Sequence, residues 1–323
     1  MNDNFLHMLN RLPETNGVYL FKNNNNTVIY IGKSKNLRKR VKSYFTRKPT
    51  KNKTKRLLAE IDGIDYLRVS TELEALLLED ELIKKHLPKF NVKQKDFTKY
   101  KYFSLVDGEF PALVNGYKPS SQIFFGPFLR QNMARRAYEM ITDNLRLRIC
   151  KDKVPKNRCI REQLGFCFGP CFGKANVEEY SAEMQIALDY LKGEDNAFLE
   201  LLSEKMHDYS EKLQFEKAME IKEALKLLRG YYYRQEFFRQ FSDGGVYVEC
   251  KDNRSLSYLF YRGLLLGISN ELFSKSRLDT ILRKRLDKYK YIDRYKKIEK
   301  YDRANIVFTW LMKNKKKRDY IFL

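Results

Sequence analysis

Two short stretches rich in β-branched and aromatic residues stand close together near the start of the chain, and they limit what its first part can fold into. Gly17–Phe21 and Thr27–Ile31 have the composition of strands, and the polar tract Asn23–Asn26 lies between them. Strand-forming runs on either side of turn-forming residues are typical of two paired strands. The sequence therefore predicts two short strands around a turn.

The residues that follow predict a small α/β domain over residues 1–95. The spacing of Leu37 and Val41 predicts a helix over 33–42, whose many basic residues require one face to be solvated or bound to an anion. A further strand is expected over 64–70. It adds a third strand to the first two.

A second helix is expected directly after that strand. Thr71 is suited to cap its start, and Glu74 follows three positions later, as in a capping box. Apolar residues then recur at helical spacing as far as Leu87. Pro88 predicts the end of the helix.

The whole chain is expected to be an α+β multidomain protein, because its composition changes several times after residue 95. Long helices are predicted over 177–192 and 196–229, with a break in the second near 209–213, and a strand pair over 245–250 and 257–266. The expected parts are a connecting α+β segment over 96–149, a four-cysteine segment over 150–175, a helical region over 176–235 and a basic C-terminal α+β region over 236–323.

Charge restricts the partners of the chain. Lys and Arg number 63 and Asp and Glu number 41, which gives a formal net charge of +22. Such an excess favours nucleic acid or an anionic membrane surface as the partner. An aromatic content of 14% argues against a disordered basic tail, because such tails are poor in aromatic residues.

The sequence also predicts the compartment. No apolar run approaches the ~20 residues that span a membrane, and the first ten residues lack the pattern of a secretory signal. We therefore expect no membrane association and a reducing cytoplasm.

Five blocks of residues in the first domain occur in the order found in a known nuclease family. Two of them are Gly17-Val18-Tyr19 and Tyr30-Ile31-Gly32, with Leu12-Pro13 before them. The chain resembles the GIY-YIG nucleases, and in particular the N-terminal domain of the UvrC family of bacterial nucleotide excision repair. The remaining blocks of this resemblance lie at 31–45, 71–79 and 87–92.

The resemblance implies a role for each of several polar residues. Glu79 would hold a metal ion, Mg²⁺ or Mn²⁺, Arg40 and Lys33 would contact phosphate, and Asn91 would support the site. The residue chemistry agrees, because cutting a phosphodiester needs a positioned water, a base, a cation and usually a metal. A lone carboxylate with neutral oxygen ligands suits Mg²⁺, which takes few protein ligands.

The tyrosines are the candidates for the general base. By the resemblance, Tyr19 or Tyr30 would deprotonate the attacking water, and Tyr44 belongs to the same catalytic set. A phenol with a pKa near 10 needs a nearby cation to act as a base at neutral pH, and Lys33 and Arg40 are the candidates. Considered one at a time, the tyrosines are typical of aromatic residues in β-strands, and the charged residues are typical of a solvent-exposed surface.

Four cysteines form the second candidate site. Cys150, Cys159, Cys167 and Cys171 give the spacing C-x8-C-x7-C-x3-C. Such a concentration favours a metal or iron–sulfur site, and thiolates suit either Zn²⁺ or an Fe–S cluster. Resemblance to UvrC implies a [4Fe–4S] cluster, with zinc or free thiols as the alternatives.

The second predicted long helix carries a candidate docking segment. Its apolar residues recur at a spacing of three or four, which by itself predicts one arm of a helical hairpin packed on its own domain. The segment also resembles the UVR motif through which UvrC meets UvrB. The resemblance rests on five residues, and it implies that these residues bind the partner. They are Phe215, Glu216, Lys217, Ala218 and Ile221.

The resemblance covers roughly residues 10–235 and implies a DNA endonuclease of nucleotide excision repair. It would cut on the 3′ side of a lesion in double-stranded DNA when UvrB, loaded by UvrA, positions it. We find neither the RNase H-like nuclease nor the helix-hairpin-helix elements of full-length UvrC, so the chain is expected to be a short, Cho-like form. The alternatives are a UvrC-like protein that binds UvrB or DNA without cutting, and a stand-alone GIY-YIG endonuclease.

Overall fold

The protein consists of two compact units in the computed structural model. The first comprises residues 1–97 with 309–314, and the second comprises 98–308 with 315–323. The structure describes residues 8–46, 52–92, 100–116, 123–150, 158–173, 175–250, 256–270, 276, 278, 280, 297–313 and 318–323. Within these residues, every helix is too short or too polar to span a membrane.

The first unit is built around a three-stranded antiparallel sheet in the order β2-β1-β3. The predicted turn between β1 and β2 is confirmed, because Asn23 Oδ1 accepts hydrogen bonds from the backbone N–H groups of Asn25 and Thr27. The elements of this unit are β1 (Gly17–Lys22), β2 (Val28–Ser34), α1 (Leu37–Thr46), α2 (Asn52–Glu60), β3 (Gly63–Arg68) and α3 (Glu72–His86).

Side-chain alternation along β1 gives this sheet two buried faces. Val18 and Leu20 point to one face and pack with Ala75 and Ile83 of α3. Tyr19 and its neighbours on the other face pack against α1 and α2, which close the core from that side. A strand residue points to the opposite face from its neighbour, so one short strand supports both layers.

The helix predicted over 33–42 begins later than expected. Lys33 and Ser34 still belong to β2, and α1 begins at Leu37. The side chain of Asn36 sets this start, because its Oδ1 accepts a hydrogen bond from the Lys39 N–H. The Ser34 hydroxyl in turn accepts a hydrogen bond from the Asn36 N–H. Capping by these two side chains outweighs the helical spacing read from the sequence.

The start and end of α3 are as predicted. Thr71 Oγ1 accepts a hydrogen bond from the Glu74 N–H at 3.2 Å, and Glu74 Oε2 accepts one from the Thr71 N–H at 2.9 Å. This reciprocal pair is a capping box. The helix ends at His86, and Leu87 takes a left-handed conformation before Pro88.

The second unit contains two antiparallel sheets and a set of long helices. The sheets have the strand orders β5-β4-β6 and β10-β7-β8-β9. The elements are β4 (Lys101–Val106), β5 (Ala112–Asn115), β6 (Phe124–Phe128), α4 (Gln131–Asn144), α5 (Ile160–Gln163), α6 (Val177–Lys192), α7 (Ala197–Glu211), α8 (Phe215–Asp243), β7 (Gly245–Cys250), β8 (Leu256–Tyr261), β9 (Leu264–Ser269), α9 (Lys297–Lys313) and β10 (Arg318–Phe322).

Two predictions for this unit are corrected. The predicted break in the long helix is present, since α7 ends at Glu211 and α8 begins at Phe215, but α8 then continues through Gly230 to Asp243. Buried aromatic residues in its second half compensate for the low helix propensity of glycine. The strand predicted over 257–266 is two strands, β8 and β9, separated by a turn at 262–263 where both residues have positive φ.

Two glycines are needed where the first hairpin packs most closely. A Cβ on Gly32 would overlap the Tyr19 phenol, whose ring lies across the glycine Cα. A Cβ on Gly17 would overlap the Leu67 carbonyl oxygen and the Leu37 side chain. By contrast, a Cβ on Gly63 would meet the Lys22 Cβ at an ordinary 3.6 Å.

These contacts predict that Gly32→Ala lowers the free energy of unfolding by about 1–3 kcal/mol, because the new methyl must push the Tyr19 ring out of a close-packed site. Gly63→Ala, in the same sheet, is the matched control and is expected to change stability by less than about 0.5 kcal/mol. Chemical denaturation of the full chain measures both values. Equal stabilities for the two variants would contradict the packing described here.

Candidate active site

Three tyrosine hydroxyls meet at the face of the sheet that α1 covers. The pairing of β1 with β2 sets Tyr19 opposite Gly32, and α1 brings Tyr44 over both strands. The Tyr44 Oη lies 2.9 Å from the Tyr19 Oη and donates to the Tyr30 Oη at 3.4 Å. Tyr44 therefore joins the two tyrosines that the sequence predicted as alternative bases.

Arg40 brings a cation to this cluster. It lies one helical turn before Tyr44 on α1, and its Nη2 donates to the Tyr44 Oη at 3.4 Å. The guanidinium carbon also lies 5.1 Å from the centre of the Tyr44 ring, within cation–π range. Arg40 is exposed, so its remaining N–H groups are accessible to an anion.

Glu79 approaches the cluster from α3. Its Oε1 accepts a hydrogen bond from the backbone N–H of Lys33, at the end of β2, at 3.0 Å. Burial raises the pKa of the Glu79 carboxyl, and the charge and N–H group of Lys33 act in the opposite direction. The other carboxylate oxygen has no such backbone bond, which suits a carboxylate that binds a cation.

The Lys33 side chain is directed by a second acid. Its Nζ lies 3.9 Å from Glu72, and the same carboxylate pairs with Lys35 at 3.1 Å. Exposed ion pairs of this kind contribute little to stability. Lys33 therefore keeps a positive charge near Glu79, partly shared with Glu72.

Asn91 acts on the site through the backbone of β2. Its Oδ1 accepts from the Ile31 N–H at 2.9 Å, and its Nδ2 donates to the Ile31 carbonyl oxygen at 2.8 Å. The side chain is buried, and these bonds satisfy the outward-facing polar groups of an edge strand. Asn91 is thus a positioning residue for the strand that carries Tyr30 and Lys33.

The environment of the phenols differs between the tyrosines. Burial is the main cause that raises the pKa of both Tyr19 and Tyr30, and the Arg40 charge lowers it by less. Both phenols are therefore protonated near neutral pH. Tyr19 is 1% exposed, whereas Tyr30 and Tyr44 are half-buried and open to water.

The four predicted cysteine ligands lie in two segments that approach each other in the second unit. Cys167 is buried, Cys150 and Cys171 are half-buried and Cys159 is exposed. Burial raises the pKa of the Cys167 thiol, and the other three thiols add to this effect, so all four lie within electrostatic range. Among the described residues, however, no three Cys, His, Asp or Glu side chains are placed to hold a metal ion. The thiols fit such a group by chemistry but not by their distances.

The predicted docking segment lies where α7 turns into α8. Phe215, Glu216 and Lys217 are exposed and Ala218 is half-buried. Ile221 is 5% exposed and packs in the core of the second unit, so its side chain is not available to a partner. Leu213 and Met219 lie in the same segment and are also exposed apolar residues, although they are not among the five predicted to bind the partner.

Comparison with known proteins finds three family models that match consecutive parts of the chain. These are the UvrC-like GIY-YIG domain over residues 15–92, the UvrC/Cho excinuclease middle domain over 100–190 and the UvrB/UvrC motif over 196–230. The first range contains the tyrosine cluster and Glu79. The last contains the turn from α7 to α8.

Curated relatives named UvrABC system protein C are similar over most of the chain. The protein from Methanosarcina barkeri is 37% identical over 233 residues, which are 72% of this chain and 45% of the relative. That from Prosthecochloris aestuarii is 35% identical over 299 residues, 87% of this chain and 48% of the relative. The chain spans about half the length of the curated relatives it matches.

Solved structures of one domain also match. The GIY-YIG N-terminal endonuclease domain of UvrC from Thermotoga maritima, bound to magnesium as its catalytic divalent cation, is 41% identical to this chain. The match covers 28% of this chain and 99% of that domain, with a TM-score of 0.26. The three family models together match more than half of the 323 residues, in the order of the UvrC family. The two curated relatives described above are 37% and 35% identical to the chain. The chain therefore belongs to the UvrC family.

Proposed function

We propose that the first unit hydrolyses a phosphodiester bond of damaged double-stranded DNA, on the 3′ side of the lesion, as part of nucleotide excision repair. The observation that carries this proposal is the convergence of three tyrosine hydroxyls, Arg40 and Glu79 at one end of the first hairpin. Hydrolysis of a phosphodiester needs a water-binding group, a cation at the phosphate and a carboxylate for a metal ion. This cluster offers all of them.

Glu79 is the residue that we propose to hold a divalent cation, Mg²⁺ or Mn²⁺. One of its oxygens is fixed by the Lys33 N–H, so the carboxylate is oriented before a cation arrives. Mg²⁺ keeps most of its waters and accepts one or two carboxylates, which suits a single acid. When bound, such an ion polarises the phosphate and lowers the pKa of the attacking water.

The remaining roles follow from exposure and position. Arg40 is exposed and would bind a phosphate oxygen of the DNA through its remaining N–H groups, with Lys33 adding a second charge. Tyr30 is half-buried whereas Tyr19 is buried, so of these two phenols Tyr30 would orient the attacking water. Positive charge beside Tyr30 would offset the burial that keeps it protonated. Tyr19 would act through Tyr44, which forms hydrogen bonds with both Tyr19 and Tyr30.

Two further parts of the chain have proposed roles that rest on the family. The turn between α7 and α8 would bind UvrB, and UvrA would act before it to load UvrB on damaged DNA. The four cysteines would hold an iron–sulfur cluster, with zinc as the alternative, and either group would require the thiols to converge further than they do in this structure.

Incision of an end-labelled duplex with one bulky adduct, in the presence of UvrA, UvrB, ATP and Mg²⁺, tests the nuclease proposal. We expect a single cut 3′ to the adduct, and Glu79→Gln should reduce its rate about 100-fold or more. Tyr30→Phe should reduce the rate about 100-fold, and Tyr19→Phe less, because Tyr19 does not reach water. Tyr66→Phe, on the exposed strand β3, is the control.

The outcomes separate the alternatives. Cutting of undamaged DNA without UvrB would identify a stand-alone endonuclease instead. An intact, UvrB-binding protein that never cuts would be a docking protein. A Glu79→Gln variant that cuts at the normal rate would exclude the cation site at Glu79.

Binding to UvrB tests the docking surface formed by Leu213, Phe215 and Met219. Phe215 is 62% exposed, so Phe215→Ala should weaken UvrB binding at least about tenfold without loss of stability. Tyr233→Ala removes an equally exposed aromatic from the same helix and should leave binding unchanged. Ile221→Ala should instead lower the free energy of unfolding by about 2–4 kcal/mol, because it opens a cavity in the core. Calorimetric titration and denaturation measure the two effects.

Metal analysis and visible absorption of protein purified without oxygen test the cysteine site. An iron–sulfur cluster should give a broad visible absorption together with bound iron and sulfide, and both should be lost in Cys167→Ser. Cys250→Ser, outside the four-cysteine segment, should keep both. Protein with stoichiometric zinc, or with four free thiols, would exclude the cluster.

A further inference from the structure

The second unit contains a cavity of about 560 Å³ that the proposed nuclease and docking functions do not use. It lies beside the last turns of α8, between β6, the end of α6 and the start of α9. Its volume falls in the range of ordinary ligand sites. The residues that give it its chemistry are Phe124, Gln235, Phe238, Arg239, Ser242 and Tyr301.

Two polar side chains in the cavity wall lack hydrogen-bond partners. Gln235 is 5% exposed, and its Nε2 is buried without a partner among the described residues. The Ser242 Oγ is likewise buried without a hydrogen-bond partner among the described residues. A buried polar group without a partner is unfavourable, and such groups in folded proteins call for a specific explanation. A ligand with hydrogen-bonding edges would supply one.

Aromatic rings also line the cavity. Phe238 on α8 and Tyr301 on α9 pack on each other, with ring centres 5.6 Å apart and a tilt of 36°, and Phe238 is buried beneath this contact. Tyr301 and Phe124 on β6 are half-buried and line the same space. A flat aromatic ligand would gain stacking energy on the Tyr301 ring from the cavity side.

A cation lies at the mouth of the cavity. Arg239 is exposed and forms no ion pair with the residues that the structure describes. Lys192, also at the mouth, is already paired with Glu194 at 3.3 Å. Gln235, Phe238, Arg239 and Ser242 follow each other at positions i, i+3, i+4 and i+7 of α8, so one helix face presents an amide, a ring, a guanidinium and a hydroxyl.

We propose that this cavity binds a single nucleotide, with the base against Tyr301 and the Gln235 amide and the phosphate at Arg239. An aromatic ring with donor and acceptor edges, joined to an anion, matches the amide, the rings and the guanidinium at once. A free nucleotide and one unstacked residue of a DNA strand have this chemistry in common. The net charge of +22 brings either of them to the protein.

The test measures binding of deoxynucleoside monophosphates by calorimetry and of labelled single-stranded DNA by fluorescence anisotropy, both with EDTA present. Without divalent cations the proposed nuclease site cannot cut the ligands, and the difference between the unaltered chain and variants of the cavity residues reports on the cavity alone, so the failure of one proposal is distinguishable from the failure of the other. An oligonucleotide with abasic positions is compared with the normal one.

Gln235→Leu and Arg239→Ala should each weaken binding about tenfold. Lys226→Ala, which removes an exposed cation thirteen residues before Arg239 on α8, is the matched control and should have no effect. Gln235→Leu should also leave the melting temperature unchanged or raise it, because it removes an unpartnered buried amide. This stability readout separates a loss of ligand contact from a loss of fold.

Comparison of the monophosphates with the two oligonucleotides shows whether the cavity binds a free nucleotide or a nucleotide of a DNA strand. Saturable binding of the monophosphates alone would indicate a free nucleotide, and a preference for the normal over the abasic oligonucleotide would indicate an unstacked DNA residue. The proposal is overturned if neither ligand binds, or if Gln235→Leu and Arg239→Ala both bind as tightly as the unaltered chain.

Discussion

Tyr19 lies opposite Gly32 in the first hairpin, and the missing side chain of the glycine leaves the space that the phenol ring occupies. A shift of one residue in this register would place Tyr19 and Tyr30 on opposite faces of the sheet. It would also move the Lys33 N–H away from Glu79. The tyrosine cluster, the orientation of Glu79 and the contact with α1 therefore all depend on one strand pairing.

The same hairpin explains how the site holds polar groups in a place that is only partly open to water. Burial disfavours the ionised form of the phenols and of Glu79, and each group is compensated locally. The Arg40 charge acts against burial on the phenols and on Glu79, and the Lys33 N–H does so on the carboxylate, whereas the hydrogen bonds of Tyr44 stabilise the neutral phenols. Asn91 keeps the edge strand in place through two backbone bonds. A site of this kind is pre-formed for a cation and a phosphate, because the groups that would bind them are already oriented.

Sequence reasoning succeeded where the determinants are local. The turn at Asn23, the capping box at Thr71 and the break between α7 and α8 each depend on a few neighbouring residues, and all were predicted. It failed where distant contacts decide. Lys33 belongs to a strand because Ser34 and Asn36 delay the helix, and Ile221 is buried because α8 packs against the rest of its unit. The apolar spacing by itself predicted an arm packed on its own domain, and the burial of Ile221 agrees with that interpretation and not with its assignment to the docking surface.

The long helix α8 then places two proposed surfaces on one rigid element. Phe215 at its start is exposed, Gln235 lines the cavity twenty residues later, and the helical rise separates them by about 30 Å. Between them the helix is held in the core by Ile221, Leu225 and Leu228. Sites this far apart with no shared contacts are energetically independent unless the segment between them moves. Because that segment is close-packed, we expect a partner bound at the start of α8 to leave the cavity unchanged, so that the two proposed surfaces would act independently.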